Sequence, residues 1–152
     1  MRAMVLHRPG TALVEEERIV PLVKGVNQVD FSWANTRIDP DTLVLRILPP
    51  PADQPLDARV LSVSYPPNET ALVWAVSASA SGAARVRISY VLGGLGKDFH
   101  YRAVADRDEK NLNLMQFLRV NNNANEAYDA AEFWAGVGGR FGKPLGLDET
   151  KE

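Results

Sequence analysis

The sequence predicts an all-β protein, an antiparallel β-sandwich of about nine strands, immunoglobulin-like or related. Apolar and polar residues alternate with a period of two along most of the 152 residues, as expected for strands with one buried side. Turn-forming Gly, Pro, Asn and Asp residues separate these stretches at nearly regular intervals. No segment shows the periodicity of an amphipathic helix, so an all-β fold is favoured over an α/β fold.

The first half of the chain is expected to begin with a flexible N-terminus at residues 1–10. A strand at 11–20 follows, in which Glu15, Glu16 and Glu17 are consecutive. Three adjacent charges suit an edge strand that must not pair with other chains, and a short helix is the alternative. Further strands are expected at 27–34, 42–48, 59–65 and 71–80. The residues expected to point inward from the last two are Leu61, Val63, Tyr65, Leu72, Trp74, Val76 and Ala78.

The stretch 84–106 carries the clearest strand pattern. Apolar and polar residues alternate on both sides of a glycine-rich segment at 93–96, where glycine can supply the positive φ of a tight connection. We therefore expect a β-hairpin at the centre of the domain. The polar residues expected to share its outer face include Arg85, Arg87, His100 and Arg102.

The last part of the chain is expected to contain two more strands. The strand at 111–120 is apolar on both sides, which predicts that it is covered on both faces. In the strand at 128–137, Trp134 has the opposite parity to Phe133 and the other core residues. Residues 11–147 are thus predicted to form a single β-sandwich domain, either complete or part of a longer protein, and residues 148–152 a charged tail.

Composition excludes several classes of function. The 17 basic and 19 acidic residues argue against nucleic-acid binding, which needs a basic surface. The chain has no cysteine, so disulfides, thiol chemistry and zinc–thiolate sites are excluded. No apolar run approaches the ~20 residues of a membrane span, and no targeting segment is visible.

Several segments resemble one bacterial family, the β-rich domain of unknown function in the C-terminal part of mucoidy-inhibitor-A-like proteins. The resemblance covers roughly residues 12–150, and its motifs are structural rather than catalytic. The segments that carry it are Val26-Asn27-Gln28-Val29-Asp30-Phe31-Ser32-Trp33, Ile38-Asp39-Pro40-Asp41-Thr42-Leu43, Val86-Arg87-Ile88-Ser89-Tyr90, Tyr101-Arg102-Ala103-Val104 and Tyr128-Asp129-Ala130-Ala131.

The resemblance implies an envelope or exported setting, periplasmic or at the cell envelope, and no established activity. Two departures from the family pattern stand out. Ala124-Asn125 occupies the position of an expected Ser-Gly, so a glycine with positive φ is expected to be dispensable there. The chain also ends at Glu152, where members of the family usually continue with more strands.

No catalytic or metal-binding set can be assembled from the residues. His7 and His100 are the only histidines, and neither has the spacing of a Ser-His-Asp triad. Asp39 and Asp41, and the acidic turn at 106–109, could supply oxygen ligands to Ca²⁺, but aspartate also favours turns in its own right. We therefore expect neither a metal nor a cofactor. The segment 93–97 lacks the ending of a phosphate-binding loop and is expected to be a hairpin loop.

Two features could bind a ligand or a partner. Arg85, Arg87, His100 and Arg102 could bind an anion or an acidic glycan, and the alternative is cross-strand pairing with acids such as Asp30 or Glu132. Trp134 could stack on a sugar or lie in an interface, and the alternative is that a second sheet covers it.

These observations lead to three functional hypotheses. The first is a non-catalytic β-sandwich module of the cell envelope, with a structural or protein–protein assembly role through its outer strands. The second is a carbohydrate- or anion-binding module, and the third and weakest is an accessory subunit of a hydrolase. Other proteins, or a second copy of the chain, are therefore the expected partners.

Overall fold

The computed structural model describes residues 2–6, 10–50, 56–128 and 131–135, and these residues form strands, turns and loops. The prediction of an all-β sandwich is confirmed. The strands are β1 (Arg2–Leu6), β2 (Thr11–Leu22), β3 (Gly25–Ser32), β4 (Ile38–Ile47), β5 (Ala58–Ser64), β6 (Ala71–Ala78), β7 (Gly82–Gly93), β8 (Leu95–Ala105), β9 (Leu112–Asn122) and β10 (Ala131–Ala135).

The strands form two packed sheets and a separate ribbon. The larger sheet has the order β10-β1-β2-β7-β4, the smaller sheet has the order β3-β6-β5, and β8 pairs with β9 alone. Within the described residues, neighbouring strands run antiparallel except β1 and β10, which are parallel. A parallel pair needs a long connection, and here nearly the whole chain lies between the two strands.

A single hydrophobic core lies between the two larger sheets. The centre of the Phe31 ring lies 6.0 Å from that of Trp74 in the same smaller sheet, and 5.8 Å from that of Tyr90 in the larger sheet. Strand β6 alternates strictly between buried and half-buried residues. Its predicted core residues, Leu72, Trp74, Val76 and Ala78, are all buried, so this part of the prediction is confirmed.

The N-terminus is not the flexible segment that was predicted. Strand β1 pairs with β2 on one side and with β10 on the other, and Met4 and Leu6 are fully buried. The prediction for residues 1–10 is therefore wrong for residues 2–6. The short apolar run gave no sign of this because one of its two neighbours, β10, comes from the other end of the described chain.

Strand β2 is an interior strand rather than the predicted edge strand, and it is not a helix. It pairs with β1 and β7, and Glu16 on its inner side is 4% exposed. A buried carboxylate needs polar partners, since an unpaired charge in the core costs several kcal/mol. The Tyr90 hydroxyl donates a hydrogen bond to Glu16, and Arg18 Nη2 lies 2.8 Å from its other carboxylate oxygen. The Arg18 guanidinium also lies 5.4 Å from the centre of the Phe31 ring.

The predicted central hairpin at 84–106 is wrong, although both of its strands exist. Strand β7 pairs with β2 and β4, whereas β8 pairs with β9, so the chain changes sheets between them. Gly94 makes the change, with φ of 86°. Its N–H donates to Gly10 O at 2.8 Å, and its own carbonyl accepts from Asn123 N at 2.8 Å.

Local irregularities explain three further differences from the predicted strands. Strand β4 already starts at Ile38, because the predicted loop at Asp39 is a bulge in which the Thr42 hydroxyl accepts the ladder hydrogen bond of Val91 N–H at 2.8 Å. Strand β5 has a second bulge and is an edge strand of the smaller sheet, and its residues from Arg59 to Ser64 are exposed. Leu61, Val63 and Tyr65 are therefore about half exposed rather than in the core, although Val63 lies opposite buried Trp74. The last strand contains residues 131–135 of the predicted 128–137, and residues 129–130 and 136–137 lie outside the described part of the chain.

Two asparagines have structural roles: Asn27, in a segment that carries the family resemblance, and Asn125, at a departure from the family pattern. The Asn27 side chain accepts a hydrogen bond from Val23 N at 2.8 Å and donates to Val23 O at 2.9 Å, which closes the connection between β2 and β3. Asn125 has φ of 61°, so it adopts the left-handed conformation expected of a glycine at that position. Asparagine tolerates this conformation better than most residues.

We expect Gly94→Ala to reduce the free energy of unfolding by about 2–3 kcal/mol. A Cβ at this residue would lie 2.6 Å from Asn123 O, and the positive φ adds strain. The control is Gly96→Ala, where the nearest atom to the new Cβ is Asn121 Cβ at an ordinary 3.7 Å. Urea denaturation of both variants measures the difference, and equal loss of stability would contradict this role of Gly94.

Candidate functional site

The ribbon of β8 and β9 extends away from the sandwich. We call residues 98–119, which include the turn between the two strands, the arm. None of its side chains is buried. A two-stranded ribbon without further layers is only marginally stable in water, so the arm is the part of the molecule most in need of an additional covering surface.

One side of the arm, which we call the apolar face, carries most of its large hydrophobic side chains. Directly paired residues of an antiparallel ribbon share a face, and the register therefore defines this one. Tyr101 is 59% exposed, Leu112 is 63% exposed and Leu114 is 61% exposed. The residues of the apolar face are Phe99, Tyr101, Ala103, Ala105, Leu112, Leu114, Gln116 and Leu118.

The apolar face is continuous with the core of the sandwich. At the base of the ribbon, Leu95 is fully buried and Val120 packs against the core, both on the same side as Phe99. Lys97 Nζ donates a hydrogen bond to Leu6 O at 2.6 Å, which attaches the base of the ribbon to β1. The inward side of the ribbon thus starts in the core and then extends past the end of the sheets.

The opposite side, which we call the mixed face, combines charged and apolar residues. Its members are Asp98, His100, Arg102, Val104, Asn113, Met115, Phe117 and Arg119. Phe117 is 50% exposed and Val104 is 45% exposed. The prediction that the strand at 111–120 is covered on both faces is therefore wrong, since the described residues leave both of its faces accessible.

Asp106, in the acidic segment at the tip of the arm, closes the turn between β8 and β9. Asp106 Oδ1 accepts a hydrogen bond from Lys110 N at 2.9 Å, and Asp106 Oδ2 accepts one from the Asn111 amide at 2.5 Å. The Asn111 side chain, followed by backbone N–H groups of the turn, lowers the pKa of Asp106. Asp106 therefore uses its carboxylate to close the turn, as the alternative interpretation of this cluster predicted.

Among the described residues, no group of three or more acidic or histidine side chains is placed to hold a metal ion. Asp39 follows the same pattern as Asp106, because it accepts a hydrogen bond from Asp41 N at 3.2 Å within the bulge. His100 points outward from the mixed face and is exposed, as predicted. His7 lies outside the described residues.

The four basic residues predicted to share one surface are divided between two. Arg85 and Arg87 lie on the outer side of β7 in the larger sheet, whereas His100 and Arg102 lie on the mixed face of the arm. The prediction of a shared outer face depended on the hairpin and is wrong for the same reason.

Arg87 pairs across strands with acids, although not with the predicted ones. Its Nη2 lies 2.6 Å from Glu17 Oε1, and its Nη1 lies 3.9 Å from Glu15 Oε2. The hydrogen bond from Arg87 lowers the pKa of the Glu17 carboxyl, and the same bond raises the pKa of Arg87. Asp30 cannot be the partner, because it lies on β3 in the other sheet.

Trp134 lies on the outer side of the larger sheet, as its parity predicted. The register places it beside Val5, and Val5 beside Leu13, which is 41% exposed. Trp134 is itself partly buried. The spacing between neighbouring strands and the rise per residue along them place Trp134 about 20 Å from Arg87. Glu15 lies between the two side chains, so they do not form one binding site.

An open polar cleft of about 670 Å³ lies next to Gly94. It is lined by Arg37, Asn122, Asn123, Asn125, Glu126 and Ala127. The Asn122 side chain is engaged in the loop itself, because its amide donates to Glu126 O at 2.8 Å and its Oδ1 accepts from Ala124 N at 3.0 Å. The polar side chains that line the cleft are exposed or half-buried, so the cleft is an open surface feature rather than an enclosed site.

Comparison of the chain with protein-family models, with curated proteins and with solved structures found no match. The resemblance to the mucoidy-inhibitor-A-like family therefore stays a prediction. The described part of the chain has no helix with the length and hydrophobicity of a membrane span. The arm is accordingly the candidate functional site on geometric grounds.

The arm was not predicted, because its leucines have the alternation of core residues. Leu112, Leu114 and Leu118 alternate as core residues do, and alternation does not reveal whether a second layer exists. The available signal was the apolar character of the opposite parity, at Met115 and Phe117. A strand with large apolar residues on both faces must either lie between two layers or have uncovered sides.

We expect Arg87→Gln to raise the pKa of the Glu17 carboxyl toward its ordinary value, because the main cause of its lowering is the hydrogen bond from Arg87. Since the pKa of Glu17 is lowered by folding, the stability from this pair is present above the ordinary glutamate pKa. It is lost as the pH falls through the lower pKa of the folded state. Carboxyl-detected NMR titration measures the change.

Arg85→Gln is the matched control for that titration. Arg85 acts on Glu17 only through a weaker charge interaction, so its removal should shift the Glu17 pKa less. Equal shifts in the two variants would show that the positive charges of Arg85 and Arg87, and not the hydrogen bond from Arg87, lower the pKa of Glu17.

Proposed function

We propose that this protein is a non-catalytic binding module of the bacterial cell envelope, and that it attaches to another polypeptide through the apolar face of its arm. The observation that carries the proposal is the exposure of Tyr101, Leu112 and Leu114 on one side of a ribbon that projects from a folded core. The largest contiguous apolar patch on a soluble protein, typically about 300–600 Å², is often a functional site.

The physical argument is the cost of leaving this surface in water. Full burial of a large apolar side chain is favourable by ~1.5–3 kcal/mol relative to leaving that side chain in water. The sandwich already achieves this for its own core, but the arm lies beyond the reach of the described sheets. A bound polypeptide would supply the missing layer, and the free edges of β8 and β9 leave room for it.

The other functional hypotheses have less support. Carbohydrate or anion binding was expected to use Trp134, Arg85, Arg87, His100 and Arg102, and these residues lie at three separate places. Arg87 is engaged by Glu15 and Glu17. No arrangement within the described residues favours either the glycan-binding hypothesis or an accessory role in hydrolysis over the assembly role. The envelope setting is supported by the sequence resemblance.

A photo-crosslinking amino acid at Leu114 tests the proposal in cells of the native host. We expect irradiation to give a discrete adduct with a polypeptide, either a second copy or another protein, and we expect the adduct in the envelope fraction. The control position is Val26, an exposed apolar residue, 66% exposed, on the outer side of the smaller sheet. Absence of an adduct at Leu114, or equal labelling at Val26, would contradict the proposed function.

A further inference from the structure

We propose that the apolar face of the arm is covered by the same face of a second copy of this chain, with two arms stacked across a two-fold axis. This inference rests on the proposed function and names its partner. The stacked arms run in opposite directions, so that Ala105 near the tip of each lies over Phe99 of the other, where the cover provided by the sandwich ends, and the two sandwiches lie at opposite ends.

The sandwich covers the apolar face only at its base, and this limit is the first support for the inference. Leu95 is 1% exposed and Phe99 is half-buried, whereas Tyr101, two residues further along the same face, is 59% exposed. The sandwich thus covers the base of the face and leaves its outer part open. The missing layer must be a flat apolar surface about as long as the arm, and the arm of a second copy has this shape.

The second argument is the distribution of large and small side chains along the face. On β8 the large residues Phe99 and Tyr101 come first, and the small residues Ala103 and Ala105 follow. When two arms run in opposite directions about a point between Tyr101 and Ala103, each alanine lies over an aromatic ring of the other copy. Large against small is the arrangement that lets two facing layers interdigitate without voids.

The third argument is the area that such a dimer would bury. Large aromatic side chains bury roughly 150–250 Å² each, so the exposed fractions on this face correspond to on the order of 500 Å² per copy. Two copies would bury roughly 1,000 Å² in total, which is at the lower limit for a specific interface. A single symmetric contact of this kind is the commonest route to a homodimer.

The mixed face is not the surface of this contact. His100, Arg102, Arg119 and Asp98 would bring like charges together across a two-fold axis or lose water without a partner. The apolar face carries no charged residue between Phe99 and Leu118, so its burial has no such cost. The mixed face therefore provides control positions for the test.

Analytical ultracentrifugation of the purified chain over a wide concentration range tests the proposal. We expect a reversible dimer for the wild type, and for Leu114→Asp at least ~10-fold weaker dimerisation, because a carboxylate would be buried against apolar side chains. Phe117→Asp is the matched control on the mixed face of the same strand and should dimerise as the wild type does. Both residues are exposed in the single chain, so neither variant should unfold, and circular dichroism checks this.

Thiol crosslinking locates the contact independently of affinity. The chain has no cysteine, so Ala103→Cys and Val104→Cys each introduce its only thiol. Because stacked sheets lie about 10 Å apart, a short bis-maleimide rather than a disulfide should join two copies through residue 103. Residue 104 points to the opposite side and should not be joined.

Three results would overturn the inference. These are a wild type that stays monomeric at all concentrations, a dimer that Leu114→Asp does not weaken, and crosslinking at residue 104 in preference to residue 103. A monomeric wild type combined with a photo-adduct to a different polypeptide in cells would remove the homodimer and leave the proposed function in place. If neither the dimer nor the adduct were found, the homodimer and the proposed function would both be contradicted.

Discussion

The backbone geometry at Gly94 determines where every other functional feature lies. At this residue the chain leaves the larger sheet and starts the arm, and the hydrogen bonds of Gly94 connect it to Gly10 and Asn123. A tight hairpin at the same position would have paired β8 with β7, at an edge that β2 or β4 occupies. Because the chain instead changes direction here, β8 and β9 project from the sandwich with their inner face only partly covered.

The fold was predictable from the sequence where the decisive signal is local. The alternation of residues along β6 depends only on the pleat of a strand and on which of its faces is exposed to water. The core positions of Leu72, Trp74, Val76 and Ala78 were therefore predicted correctly. Trp134 was likewise placed on the opposite side to Phe133. Parity predicts which side chains share a face, whatever strands lie beside them.

The prediction failed where the answer depends on distant residues. Three adjacent glutamates suggest an edge, but Glu16 is tolerated inside the sheet because Tyr90 supplies a hydrogen bond and Arg18 a charge. The glycines at 93–96 are compatible with either a hairpin or a change of sheet, and only the pairing of β2 with β7 decides between them. The candidate site was missed for the same reason, since the leucines of β9 are core-like in every local respect.

The central claim is that the apolar face of the arm is open in the single chain and covered only by another polypeptide. Hydrogen exchange of backbone amides at several protein concentrations tests it most directly, because protection follows the local opening free energy. We predict fast exchange in β8 and β9 beyond Phe99 at high dilution, slower exchange there as the concentration rises, and slow exchange in β7 throughout. Arm amides as protected as those of β7 at the highest dilution would contradict the claim, because the chain would then cover its own arm.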